Sequence, residues 1–384
     1  MGENREDMKI PIVHWTLQYS LRILGLWPNK PILITQLLIY SSLIGISPFQ
    51  LKDIYGDYED KQKMVDGVRN MAAVIFIIIK FGILRFNQGN LHSVLMEIEQ
   101  DWNNLKDPKD LEIMTKYLQY AYKFCTCIWT LYLAVSIAYF MECFYGFFAN
   151  EKVLLIPVSY PFDMEFTPYF VLALIFQAIL YILWFFANGL SESLLGTLIF
   201  HLVGRIDLLL KEISEISFQS TSSDSRYLIM FIKAVVHKHR KLIKLHDKIE
   251  SIYSYICLTQ FFASIIVLCL AGFLIITFEY EGILDLFEMM KNVIYIFLNL
   301  SQAFAFCFSG EILLSQSSNI PQCVSDCSWY ETSPSNIKLL ILIILKTQKP
   351  LALTVGKFTE LSIGSFTRII QTSVSYLSVL RTRY

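Results

Sequence analysis

Toward the C-terminal end of the chain, Thr367, Gln371, Thr372, Ser373, Ser375 and Ser378 crowd one otherwise apolar segment. Hydroxyls and amides are costly against lipid, so such side chains must face protein or water. Thr372, Ser375 and Val379 fall at i, i+3 and i+7, one helical face. A polar stripe closed by one apolar residue suits a water-filled path with a hydrophobic constriction. It also suits a helix inside a bundle whose hydroxyls bond back to carbonyls four residues earlier. The spacing alone leaves both readings open, as it does for Arg368, which either pairs within the bundle or faces an aqueous vestibule.

A second group could bind rather than conduct. Ser136, Tyr139, Phe140 and Cys143 share a face of one apolar segment. Tyr169, Phe170, Leu174 and Gln177 open another, and Met71, Ala72 and Ile75 open a third. Tyr295 and Asn299 lie four residues apart on a fourth. An aromatic cavity with a few hydroxyls suits a small volatile ligand; ordinary helix packing is the competing reading for each residue taken singly.

Chemistry of the enzymatic kind is not indicated. The chain carries no His-Glu-x-x-His, Gly-x-Ser-x-Gly or phosphate-binding loop, and no paired carboxylates inside an apolar segment. Neither the eight cysteines nor His237, His239 and His246 are spaced to complete a metal site, so no metal or other cofactor is expected. The histidines read as part of a solvated basic face. Lys80 and Arg85 read as snorkelling cations, and Glu142, Glu192 and Glu311 as carboxylates near span ends with water at hand.

The elements that must position these residues follow from composition. The chain is 54% hydrophobic and 17% charged, with a net charge of −1 and a mean hydropathy of +0.48. It reads as an all-α polytopic membrane protein lying in a lipid bilayer, with no nucleic-acid partner. Charged residues mix in the N-terminal stretch with no apolar core before Ile32, so no cleavable signal peptide is expected. Seven segments are apolar and long enough to span: 31–50, 68–86, 124–148, 167–190, 255–278, 291–314 and 354–380. Twenty Lys and Arg fall on the side of the N-terminus and six on the other. The positive-inside rule therefore predicts a cytoplasmic N-terminus and an extracellular C-terminus. Residues 191–254 and 315–349 read as a cytoplasmic helical anchor region, with a short helix between Ser335 and the Lys349-Pro350 stop.

The C-terminal third carries Ser328-Trp329-Tyr330, Pro334, Leu339-Leu340 through Leu345, and Lys346-Thr347-Gln348-Lys349-Pro350-Leu351. The run continues through Leu353-Thr354-Val355-Gly356-Lys357-Phe358, Leu361, Phe366 and Ser375-Tyr376-Leu377-Ser378-Val379-Leu380-Arg381. On these residues the chain resembles the insect odorant receptor family. The resemblance implies a seven-helix subunit of a tetramer, with the last helix of each subunit lining a central pore. It implies volatile ligands bound in the outer part of the bundle and a non-selective cation channel in the plasma membrane of sensory dendrites. The family's hydrophobic gate, in its Tyr-x-x-Val-Leu segment, falls on Val379, with Leu380 its neighbour. The related gustatory receptors end in a Gln-Phe pattern where this chain has Thr382-Arg383. The family's co-receptor has a long cytoplasmic insertion that this chain lacks. The resemblance is therefore to an odorant-tuning subunit that needs the co-receptor as partner. A gustatory-type channel and a G-protein-coupled chemoreceptor are the alternatives. The second would need an outward N-terminus, an Asp-Arg-Tyr-like end to the third span and Asn-Pro-x-x-Tyr in the seventh, and neither motif is present.

Overall fold

The computed structural model describes residues 14–27, 33–56, 61–149, 152–156, 158–215, 225–277, 283–326 and 334–383. Ser328-Trp329-Tyr330 and Pro31 lie outside the described residues. Ten helices account for nearly all of the described chain: α1 (Trp15–Ile23), α2 (Leu33–Gly56), α3 (Lys61–Phe86), α4 (Gln88–Asn103), α5 (Pro108–Phe148), α6 (Thr167–Ser214), α7 (Ser225–Ile276), α8 (Ile283–Asp326), α9 (Pro334–Thr347) and α10 (Ile363–Arg383). Five described stretches are long and apolar enough to cross a membrane: Gln62–Phe86, Pro108–Phe148, Thr167–Ser214, Ile229–Ile276 and Met289–Asp326.

Length explains why the bundle extends beyond a bilayer. α6 has 48 residues and α7 has 52. At 1.5 Å per residue they reach ~70 Å or more, over twice a ~30 Å hydrocarbon core. α5 starts at an Asp107 cap whose carboxylate accepts from the Lys109 amide at 3.0 Å, with Pro108 in the first turn where its missing N–H costs nothing. Every residue of α6 from Gly189 to Gly204 is buried. A helix apolar all round belongs at the centre of a bundle, and α1, α3, α5, α7 and α8 all pack against α6.

The extended ends of α6 and α7 are held to α4 by a buried carboxylate. Asp101 receives Lys241 Nζ at 2.5 Å, Arg205 Nη1 at 3.2 Å and His201 Nε2 at 3.4 Å. Lys248 pairs with Glu97 at 2.9 Å. His239 and His246 are themselves buried, and His246 Nε2 lies 3.1 Å from the Ala352 carbonyl. His239 and His246 thus turn inward, whereas His237, Lys238, Arg240 and Lys244 are exposed as a solvated basic face would have them.

The last expected span began at Thr354, but the helix starts nine residues later, at Ile363. Residues before it form a small antiparallel hairpin, β1 (Thr354–Val355) with β2 (Thr359–Glu360). Gly356 and Lys357 have φ of 60° and 67°, and Phe358 N donates to Val355 O at 3.1 Å. Positive φ at both central residues is the handedness of a hairpin turn and cannot continue a right-handed helix. The hairpin is fastened to α7. The Thr354 amide donates to Glu250 Oε2 at 3.0 Å, and the Gly356 amide to the Ser254 carbonyl at 2.9 Å. On α8, Glu311 accepts from the Ile363 amide at 3.1 Å, placing a negative charge at the N-terminus of α10.

Two predictions follow from these anchors. A Cβ on Gly310 would sit 2.2 Å from the Leu361 carbonyl oxygen, so Gly310→Ala must displace backbone. Thermal unfolding of the purified variant is expected to show a loss of about 2 kcal/mol or more; an unchanged transition would mean that α8 and the hairpin are not seated together. Burial raises the Asp101 pKa, but hydrogen bonds from His201 and Lys241 and the charge of Arg205 outweigh it and hold the carboxyl below its ordinary value. A depressed carboxylate stabilises the fold above its unfolded pKa and loses that contribution as pH falls through the folded value. Asp101→Asn is expected to melt lower than the parent at neutral pH, with the gap closing below about pH 4. A gap independent of pH would refute the charge assignment.

Candidate functional site

A cavity of about 160 Å³ lies between α2, α3, α5, α6 and α8. Helical spacing explains its walls. α5 contributes Tyr132, Val135 and Tyr139 at i, i+3 and i+7; α6 contributes Tyr181, Trp184, Phe185 and Asn188 at i, i+3, i+4 and i+7. α8 adds Lys291, Asn292, Tyr295 and Leu298, and α3 adds Asp66, Arg69, Asn70, Ala73 and Ile77. Gln50 of α2, with Leu155 and Ile156 of the α5–α6 connection, completes the lining. That connection is held by Gln177, which is fully buried. Its Oε1 accepts from the Ile156 amide at 3.0 Å and its Nε2 donates to the Ile156 carbonyl at 2.8 Å.

The walls are aromatic. Tyr139 and Tyr181 rings lie 5.6 Å apart, and Tyr132 meets Phe185 edge-on at 5.9 Å. The cations at the site are already neutralised. Arg69 pairs with Asp66, donates to Asn292 and lies 5.2 Å over the Tyr295 ring. Lys291 pairs with Glu142 at 2.7 Å.

Beneath the cavity runs a buried polar network that joins five elements. Tyr132 donates its hydroxyl to Glu192 Oε1 at 2.8 Å and accepts from Gln302. Gln260 donates to Gln302 at 3.4 Å and to Ser264 at 3.0 Å, and accepts from Lys80. Lys80 and Glu192 are 6% and 1% exposed. The readings of Lys80 as snorkelling and Glu192 as water-facing are thus corrected: Lys80 donates to the Gln260 amide and Glu192 accepts from the Tyr132 hydroxyl inside the bundle.

The sequence-derived binding residues divide clearly. Tyr139 and Tyr295 line the cavity. Ser136 is buried behind the wall, donating to the Tyr132 carbonyl at 2.8 Å, and Asn299 is buried one turn from Tyr295. Cys143 and Leu174 pack in the neighbouring cluster around Ile46 and Leu180. Ile75 and Phe140 are exposed on the outside of the bundle, and Met71 and Phe170 are half-buried. Sequence reading missed Gln50, Arg69, Tyr132, Tyr181 and Trp184. The spacing of Tyr132 with Tyr139, and of Tyr181 with Trp184 and Asn188, was the available signal.

On α10, Ser365, Ile369 and Ser373 are buried, and the helix packs against α7 and α8. Ser375 and Val379 are exposed, Val379 at 56%, while Thr372 and Leu380 are half-buried at the edge. Ser375 Oγ donates to the Gln371 carbonyl at 2.8 Å, so a hydroxyl bonded to its own helix still lies on the outward face. Arg368 is exposed there too, 3.5 Å from Thr359 Oγ1.

These features define a polytopic helical membrane bundle with a partly open, aromatic-walled cavity and a hydroxyl-bearing outer helix. The family model described as 7tm odorant receptor matches residues 62–374, and the chain belongs to that family. It is similar to odorant receptor 13a of Drosophila melanogaster, 28% identical over 67% of this chain and 64% of that one. It is also similar to odorant receptor 85c of the same species, 23% identical over 93% of each. The aligned region thus spans just under two thirds of receptor 13a but nearly all of receptor 85c. The fold matches the insect olfactory receptor OR5 of Machilis hrabei in complex with eugenol, with a TM-score of 0.77, 14% identity, and coverage of 96% of this chain and 97% of that one.

The network makes a stability prediction. Glu192→Gln replaces the carboxylate that accepts from the Tyr132 hydroxyl in this buried network and is expected to cost about 1–3 kcal/mol. Thermal unfolding of the variant checks this, and an unchanged transition would show that the carboxylate does not support the network.

Proposed function

We propose that this chain is an odorant-tuning subunit that binds a small volatile molecule in the outer cavity and opens a non-selective cation channel formed with a co-receptor. In this reading the N-terminus is cytoplasmic, the C-terminus is extracellular, and the complex, a tetramer, sits in the plasma membrane of a sensory neuron dendrite. The observation that carries it is the outward face of α10. Val379 and a row of hydroxyls are unpacked in the single chain, while the opposite face is seated on α7 and α8. An apolar residue amid hydroxyls at the end of a membrane helix suits a gate that closes by dewetting. Val379 and Leu380 form that gate, and Ser375 and Thr372 line the path to it.

The coupling runs through contacts already described. Tyr132 belongs to both the cavity wall and the polar network, and that network reaches Gln260 on α7, the helix that carries α10. A ligand that binds the open arrangement more tightly than the closed one shifts α7, and with it α10. The complex of Machilis hrabei OR5 with eugenol supports the choice of a small volatile as ligand.

Voltage clamp of cells expressing this chain with and without a co-receptor tests the reading. Volatile-evoked cation current that requires both chains is expected. Val379→Ser should raise basal leak. Tyr139→Ala and Tyr295→Ala should each raise the half-maximal concentration about tenfold, equivalent to ~1.4 kcal/mol. Current from this chain alone would refute the tuning-subunit assignment, and a Val379 change without effect on leak or permeation would place the gate elsewhere on α10.

A further inference from the structure

The cavity holds more hydrogen-bonding capacity than the protein uses. Gln50 is 3% exposed, and neither its Oε1 nor its Nε2 has a partner among the described residues. Arg69 Nε and Trp184 Nε1 are buried and unpartnered in the same way. All three residues line the one cavity. Buried polar atoms are almost always satisfied, and each one left unpaired carries a desolvation penalty. Three donors and one acceptor thus lie unpaired on residues of one cavity, whose other walls mix apolar and aromatic side chains with Asp66, Asn70, Asn188, Lys291 and Asn292. The charges at the site are already matched, Arg69 by Asp66 and Lys291 by Glu142, so no ionic group is needed to balance them. The volume of about 160 Å³ is close to the ~150 Å³ cavity that accepts benzene in an apolar protein core.

We propose that Gln50 sets the ligand class of this cavity: a neutral volatile of single-ring size that carries a hydrogen-bond-accepting oxygen, held by the Gln50 amide and aided by Trp184 and Arg69. This rests on the reading of the cavity as the ligand site and adds the functional group it selects. The excess of donors over acceptors favours a carbonyl, ether or ester oxygen over a purely hydrocarbon ligand. A hydrocarbon of the same shape would fill the volume and leave the Gln50 amide unpaired, and a site built to hydrogen-bond one group discriminates strongly against an analogue lacking it.

The test uses the full-length chain purified together with its co-receptor in lipid nanodiscs and two matched probe pairs, acetophenone with ethylbenzene and cyclohexanone with methylcyclohexane. Ligand-induced thermal stabilisation is titrated for the parent, for Gln50→Met, which keeps the length and removes the amide, and for Gln50→Asn, which withdraws the amide by one methylene. The parent is expected to bind the oxygenated member of each pair about tenfold more tightly or better. Both variants should lose most of that preference by weakening the ketones while leaving the hydrocarbons nearly unchanged. Gln50→Asn keeps a polar side chain and so serves as the readout if Gln50→Met does not fold. Equal binding of both members, or binding of neither, would overturn the ligand class. A preference that survives in the variants would overturn the role of Gln50 and assign its amide to a bound water. Currents evoked in co-expressing cells by volatiles outside this class would overturn the present inference while leaving the receptor-channel reading standing. Absence of current with every volatile would strike that reading itself.

Discussion

A bilayer supplies no hydrogen-bond partner to a side chain in its core, and the described structure is organised around that constraint. Lys80, Glu192, Tyr132, Gln260 and Gln302 come from α3, α6, α5, α7 and α8 and find one another rather than water. Each is tolerable only while the others stay in place. The network therefore fixes the mutual rotation of five helices more sharply than packing of leucines could, because a small rotation would strand a charge or an amide in a medium of low dielectric. It also lies directly under the cavity, so a change at Tyr132 is felt by helices that a ligand never touches.

The same constraint shapes the end of the chain. α10 is too polar to face lipid on all sides, yet one of its faces is unpacked in the single subunit. Its position depends on a short hairpin that is bonded to Glu250 and Ser254 on α7 and is followed by a cap from Glu311 on α8. The hairpin lets the chain reverse direction without leaving the Thr354 and Gly356 amides unsatisfied. It also means that α10 inherits its orientation from α7 and α8, the two helices that join the cavity network to the rest of the bundle.

Much of this was legible in the amino-acid order. Hydropathy over windows of about 20 residues reports helices that cross a membrane, because backbone satisfaction in lipid leaves almost no other structure. The C-terminal motifs pointed to the odorant receptor family, and the hydroxyl stripe with Val379 marked the outward face of α10. The start of the last helix was not legible, because 354–380 is long enough to be one span and no proline breaks it before Ile363. Only the left-handed turn at Gly356-Lys357 and its bonds to α7 prevent a helix there.

Composition and spacing thus determined the class of protein and its all-α character, since these are local properties of a chain in lipid. The tertiary structure decided which faces meet. Tyr139 and Tyr295 share a cavity while Ile75 and Phe140 look outward, and Lys80 turns inward toward Gln260 instead of outward to water. Gln50, an unremarkable amide at the end of an apolar stretch, becomes the most polar unpaired side chain of the cavity. Helix rotation and pairing depend on contacts between residues 42 to 223 positions apart, and those do not appear in any local pattern.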